Sequence, residues 1–232
     1  MKTFCSLLFL LCAIACAQEA LRTIDIWSGR EQSLPFTAQS AWRVEAEHGR
    51  VLAKGQARGP VKVSFPALSA KETAFLLVDG QKVARLAIHP EKLLDGIAAD
   101  CRQHRDELEQ LGVRANPAWE DGATCFFLPW NALAQALDEP HSDAAKYVVF
   151  TEQRDFPLDI GDDWTEITVG LDGKRGKFSL VMDGRERSID NGGGVAWIAA
   201  RRNKGERILL LPMDFDLKDV NSILLIKREI EK

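Results

Sequence analysis

Three stretches decide how this chain folds: Thr124-Cys125-Phe126-Phe127-Leu128, then Trp130-Asn131-Ala132-Leu133-Ala134-Gln135-Ala136-Leu137, then Tyr147-Val148-Val149-Phe150-Thr151. The first and third are unbroken apolar runs of strand length, rich in β-branched and aromatic residues. Continuous rather than alternating apolarity marks strands buried on both faces, as in a parallel sheet. The middle stretch has helix formers and an apolar stripe. Strand, helix, strand is the unit of an α/β layer.

Upstream, Leu93, Leu94, Ile97, Ala98, Cys101, Leu108 and Leu111 fall on one helical face. Pro90 suits a first helical position and Gly112 a C-terminal cap. The spacing predicts a helix of about 20 residues. Residues 18–89 read differently. Short apolar runs at Arg22–Trp27, Ala41–Ala46, Arg50–Ala53, Val61–Phe65, Ala74–Val78 and Val83–Ile88 are separated by turn signals. Asp79-Gly80 is a tight hairpin turn. Strands at this spacing without helices predict an immunoglobulin-like β-sandwich. Residues 152–232 are β-rich again, with strands expected at Glu166–Val169, Lys177–Met182, Val195–Ala200, Arg207–Leu211 and Ile223–Ile226, and no helix.

The expected class is α+β and β-rich: a sandwich over 18–89, then a small three-layer α/β unit with a β-rich end over 90–232. The alternative splits the second part into 90–145 and a separate jelly roll over 146–232. Tyr147–Thr151 decides between them, because it is central in a parallel sheet only in the first arrangement.

Residues 1–17 read as a cleavable signal peptide. Lys2 precedes an uncharged run from Phe4 to Ile14, and Ala15-Cys16-Ala17 offers the small residues of a cleavage site after Ala17. The run is too short to span a bilayer. Ala13-Ile14-Ala15-Cys16 also resembles a lipoprotein box, which would make Cys16 a lipid anchor. Either way the chain is exported, to the periplasm, the outer-membrane surface or the medium. Three of the five cysteines lie in this leader, leaving Cys101 and Cys125 as a disulfide candidate in an oxidising compartment. Net charge is −4, and −5 once Lys2 is removed with the leader. A mildly acidic chain with scattered cations has no footprint for nucleic acid. No later segment is long enough for a transmembrane span.

Residues 195–212 run Val-Ala-Trp-Ile-Ala-Ala-Arg-Arg-Asn-Lys-Gly-Glu-Arg-Ile-Leu-Leu-Leu-Pro. This resembles the closing hairpin of glutamine-amidotransferase-like domains of the trehalose-utilisation type. The α/β pattern over 90–151 is similar to a reduced, flavodoxin-like half of such a domain, and a preceding immunoglobulin-like domain suits exported proteins of carbohydrate metabolism. Active members carry Cys on a glycine-flanked turn after a strand. The matching turn here, Leu128-Pro129-Trp130-Asn131, has no Cys, Ser or Gly, and Cys125 stands three residues before it. The resemblance therefore implies a non-catalytic relative.

His48, His89, His104 and His141 form no zinc-binding spacing. His89, at a strand end, and the loop groups Trp119, Glu120, Asp162, Asp163 and Trp164 are the binding candidates, because exposed tryptophan beside carboxylates suits a sugar. Asp214, Asp216 and Asp219 could converge on one cation, and Ca²⁺ is the ion that loop oxygens would take. Against this stands the ordinary role of Asp216 and Asp219 as local caps. No other cofactor is expected. The leading reading is an exported, non-enzymatic binding or structural module with a glycan or protein partner. The alternative is an extracytoplasmic hydrolase acting on carbohydrate through Asp and Glu.

Overall fold

In the computed structural model, Val44 and Ala46 are buried while Arg43 between them is exposed, the alternation that puts one face of a strand on a core. The structure describes residues 21–56, 58–115, 124–139, 144–151, 157–159, 164–170, 178–182, 185–189, 197–202, 205–213 and 215–232. The chain is α+β and β-rich, and it divides into two units, Met1–Pro90 and Glu91–Lys232.

The first unit contains β1 (Thr23–Trp27), β2 (Gln32–Ala38), β3 (Trp42–Ala46), β4 (Val51–Gly55), β5 (Gly59–Val63), β6 (Glu72–Val78) and β7 (Gln81–His89). Five of them form a sheet in the order β1-β7-β6-β3-β4, and β2 pairs with β5. Ile26, Val44, Leu76 and Leu86 from the larger sheet share one core with Leu34, Val61 and Val63 from the smaller. The strand β2 was not among those expected. Pro35 lies inside it, where the chain cannot donate to a ladder, and the β2–β5 pairing is irregular between Ser33 and Thr37.

The β6–β7 turn is as expected. Asp79 and Gly80 both have positive φ, at 49° and 84°, as a hairpin of right-handed twist requires. The Asp79 carboxylate also accepts from Gln39 N, Ser40 N, Ser40 Oγ and Ala41 N at 2.8–3.1 Å. These bonds, led by that from Ala41, hold its pKa down at about 2. The free carboxyl titrates near 3.8, so the stabilisation is present above that pH and is lost as pH falls toward 2. Acidification from pH 4 to 2 should therefore lower the thermal midpoint of the native chain more than that of an Asp79→Asn variant. An NMR titration placing the Asp79 carboxyl at its ordinary value would contradict this.

The second unit contains β8 (Ala98–Cys101), α1 (Arg105–Gln110), β9 (Arg114–Ala115), β10 (Cys125–Pro129), a 3-10 turn (Trp130–Ala132), α2 (Leu133–Asp138), β11 (Lys146–Thr151), β12 (Pro157–Asp159), β13 (Trp164–Gly170), β14 (Phe178–Met182), β15 (Arg185–Ile189), β16 (Trp197–Arg202), β17 (Arg207–Pro212) and α3 (Val220–Glu231). Seven strands form one sheet in the order β13-β16-β17-β11-β10-β8-β9, and β12, β14 and β15 form a small separate sheet. The five strands from β17 to β9 run parallel, and β16 and β13 extend the sheet antiparallel. Phe126, Leu128, Tyr147, Val149, Ile208 and Leu210 pack with Leu133 and Ala136 of α2. Phe127, Val148, Phe150, Leu209 and Leu211, which alternate with them, are buried as well. That is why these strands read as unbroken apolar runs. Among the described residues no helix is long and apolar enough to cross a membrane.

Three expectations are corrected here. Residues 93–111 are not one helix. Leu93 and Leu94 lie in a turn that ends at Gly96 (φ 86°), Ala99 and Cys101 are buried in β8, and only Leu108 lies within α1. Three elements each bury their own pair or single residue, and the summed spacing imitates a helical stripe. Ile223–Ile226 is not a strand. It lies in α3, which Asp219 caps by accepting from Ser222 N at 2.9 Å, and whose Val220, Ile223 and Ile226 recur at helical spacing on the buried side. Finally, β11 is paired in parallel on both sides, with β10 and β17, so 146–232 is not a separate jelly roll.

Candidate functional site

Strands of a parallel sheet end at a common edge, and ligands of such sheets bind outside those carboxyl ends, where the strand order reverses. Here the reversal falls between β8 and β10. The chain leaves β8 through α1 to β9 on one side, then builds β10, β11 and β17 on the other. The segment at that point is Arg102-Gln103-His104.

The backbone N–H groups of Arg102 and Gln103 both donate to Phe127 O, at 2.9 and 3.2 Å, which fixes the segment against β10. Arg102 Nε donates to Asp100 Oδ2 at 2.8 Å and its Nη2 to Glu139 Oε2 at 3.1 Å. Burial alone would lower the guanidinium pKa, but these two carboxylates outweigh it and raise the pKa above its ordinary value. Gln103 Nε2 donates to Met213 Sδ at 3.5 Å, and Met213 N to Thr151 O at 2.9 Å. The ends of β8, β11 and β17 are thereby tied into one rim.

His104 is the strained member. Its φ is 53°, a left-handed conformation uncommon outside glycine. Its ring meets Phe150 edge-on, with centroids 4.5 Å apart and planes at 68°. Its Nε2 is buried and has no hydrogen-bond partner among the described residues. A buried polar atom left unpaired costs about 1–3 kcal/mol, and strain of this kind collects at functional sites. The rim thus gathers a guanidinium held by two carboxylates, a carboxamide on a thioether sulfur and an imidazole whose buried Nε2 has no partner among the described residues.

Cys101 and Cys125 are free thiols, and both are buried. Their strands are neighbours, but Cys125 pairs with Ala99 and Cys101 with Phe127, an offset of two residues. Strand spacing and rise put such Cα atoms roughly 8 Å apart, beyond the ~7 Å that a disulfide spans. Burial, then the charge of Asp100, pushes the Cys101 thiol up to about 12. Burial pushes Cys125 up as well. Neither supplies a thiolate near neutral pH.

Of the residues expected to bind ligand, the structure places His89 in the first unit, at the end of β7. It is 2% exposed, and its Nε2 lies 2.7 Å from Asp25 Oδ1 on the adjacent strand β1. The partner is a carboxylate, not the backbone. Trp164 begins β13. Trp119, Glu120, Asp162, Asp163 and Asp214 lie outside the described residues. Asp216 accepts from Lys218 N at 2.8 Å and Asp219 caps α3, so both carboxylates are engaged locally. Among the described residues no group of three or more His, Cys, Asp or Glu side chains could hold a metal ion. Sequence reading missed Arg102, Gln103, Thr151 and Met213. Their signal is positional, as the residues that follow parallel strands, and it disappears when 98–111 is read as helix. No protein-family model matches this chain, and no curated protein matches it.

Proposed function

We propose that this chain is an exported, non-enzymatic binding module that takes an oxygen-rich ligand, of the carbohydrate class, at the rim formed by Arg102, Gln103 and His104. The observation that carries this reading is the strained, partly unsatisfied His104 at the strand-order reversal of the parallel sheet. The order β9-β8-β10-β11-β17, counted along the chain as 2-1-3-4-5, supports the flavodoxin-like, amidotransferase-related half inferred from residues 195–212. The paired sheets of the first unit support an immunoglobulin-like sandwich. The non-catalytic reading rests on the turn after β10, Pro129-Trp130-Asn131, which offers no nucleophile, and on two thiols held protonated. The export reading rests on the leader.

A thermal-shift screen of the exported chain against a glycan panel, with and without Ca²⁺, tests the binding. A neutral or acidic sugar should raise the unfolding midpoint, and His104→Ala and Gln103→Ala should each abolish the shift. No shift across the panel defeats the carbohydrate reading. Turnover of any sugar that binds would replace the module with a hydrolase. The N-terminal sequence of the exported chain decides whether Cys16 is removed or retained with lipid.

A further inference from the structure

A second site stands at the opposite edge of the parallel sheet and does not rest on the rim. There β11 begins at Lys146 and β17 at Arg207. The two residues are direct partners in the parallel ladder, and Cys125, the first residue of β10, is next in the same row. Partners in register share a face of the sheet. Phe126, Tyr147 and Ile208, one residue further on, pack toward α2. Lys146 and Arg207 therefore project together from the other face.

The row sets two positive charges on strands that lie about 4.8 Å apart. Both side chains are half-buried. The Lys146 ammonium stays beside its neighbour, because Nζ donates to Gly205 O at 3.4 Å, two residues before Arg207. Burial, then the charge of Arg207, holds the Lys146 pKa below its ordinary value.

No acid offsets this pair. Among the described residues no carboxylate, Glu206 included, forms an ion pair with Lys146 or Arg207. The helix α3 packs against β17 and carries Glu229 and Glu231 in its last turn. Glu229 Oε1 takes Arg228 Nε at 3.2 Å and Lys232 Nζ at 2.8 Å, and Glu231 Oε1 takes Lys227 Nζ at 3.7 Å. These acids are held by cations of their own helix. Like charges that are half-buried repel more strongly than they would in bulk water, and the fold leaves that repulsion uncompensated.

The charges and donors point to the ligand. A monoanion would neutralise one of the two cations, and a dianion neutralises both. A guanidinium offers paired N–H groups to two oxygens, and an ammonium serves a third as a point charge. A tetrahedral oxyanion has three such oxygens, and a carboxylate has two.

We infer that Lys146 and Arg207 bind a tetrahedral dianion of the phosphate class at the amino ends of β11 and β17. The free ion and a phosphate ester share this chemistry, and the test separates them. Calorimetric titration of the full chain at constant ionic strength would use inorganic phosphate, glucose 6-phosphate and, as the monoanion, acetate. At least one of the two phosphates should bind about tenfold or more tighter than acetate. The tighter of the two names the source. Lys146→Met keeps the apolar stem and removes the charge, and it should abolish the preference, as should Arg207→Gln. Lys146→Arg should retain it, and Lys62→Gln, a cation of the first unit, should leave it unchanged. Thermal unfolding adds a readout that a merely structural role would not give. Without phosphate, Lys146→Met should melt no lower than the native chain, because it relieves the repulsion. With phosphate, only the native chain should gain in midpoint. Phosphates that bind no tighter than acetate, a preference that survives both Lys146→Met and Arg207→Gln, or a Lys146→Met midpoint below the native one without phosphate would overturn the proposal.

Discussion

Replacing Phe127 by Ala should lower the unfolding free energy of the second unit by about 3–5 kcal/mol, much of what holds a domain of this size folded. Phe127 is fully buried in β10, between β8 and β11, and pairs with Cys101 on one side and Val148 on the other. Its neighbours are strands hydrogen-bonded along their length, so they cannot collapse into the space left behind. Phe127 O also accepts from Arg102 N and Gln103 N, so a shift of β10 would move the rim. Urea unfolding followed by circular dichroism measures the loss. Phe127→Leu, which keeps most of the volume, should cost less than about 1.5 kcal/mol. Equal losses for the two variants would mean that the site is not close-packed.

Replacing Gly112 by Ala should cost about 2–4 kcal/mol, the sum of a left-handed backbone and an overpacked contact. Gly112 follows α1 with φ 100°. Its N–H donates to Glu109 O, and Val113 N donates to Leu108 O, both at 3.0 Å, which closes the last turn of the helix. A Cβ there would stand 2.9 Å from Asp95 N and 3.0 Å from Asp95 Cα. Those are backbone atoms, and they cannot swing aside as a side chain would. Gly96 is the control. Its φ is 86°, but nothing lies within 4 Å of a Cβ placed on it. Gly96→Ala should therefore cost only the conformational part, about 1–2 kcal/mol. Matching urea midpoints for the two variants would refute the contact with Asp95.

The rim was not legible in the sequence. His104 shows there only as a histidine without zinc-binding spacing, beside apolar residues that suit a satisfied ring, and its left-handed backbone and unpaired buried Nε2 follow from where β8 stops. Arg102, Gln103, Thr151 and Met213 carry no motif. They become neighbours because β8, β11 and β17 end at the same edge, a fact of strand order.

By itself the sequence determined the features that one or two residues impose locally. Asp79-Gly80 makes the hairpin because both residues accept positive φ. Gly112 ends α1 for the same reason. The runs at 124–128 and 147–151 are strands because they are apolar throughout, β-rich and too short for buried helices. Tertiary structure decided the rest. Ala98–Cys101 is a strand because β10 and β9 offer it partners on both edges, although its apolar residues fit a helical stripe equally well. Ile223–Ile226 is helical because Asp219 starts a helix whose apolar stripe packs against β17. A short apolar run satisfies either period. The hydrogen bonds that settle it come from residues far away in the chain.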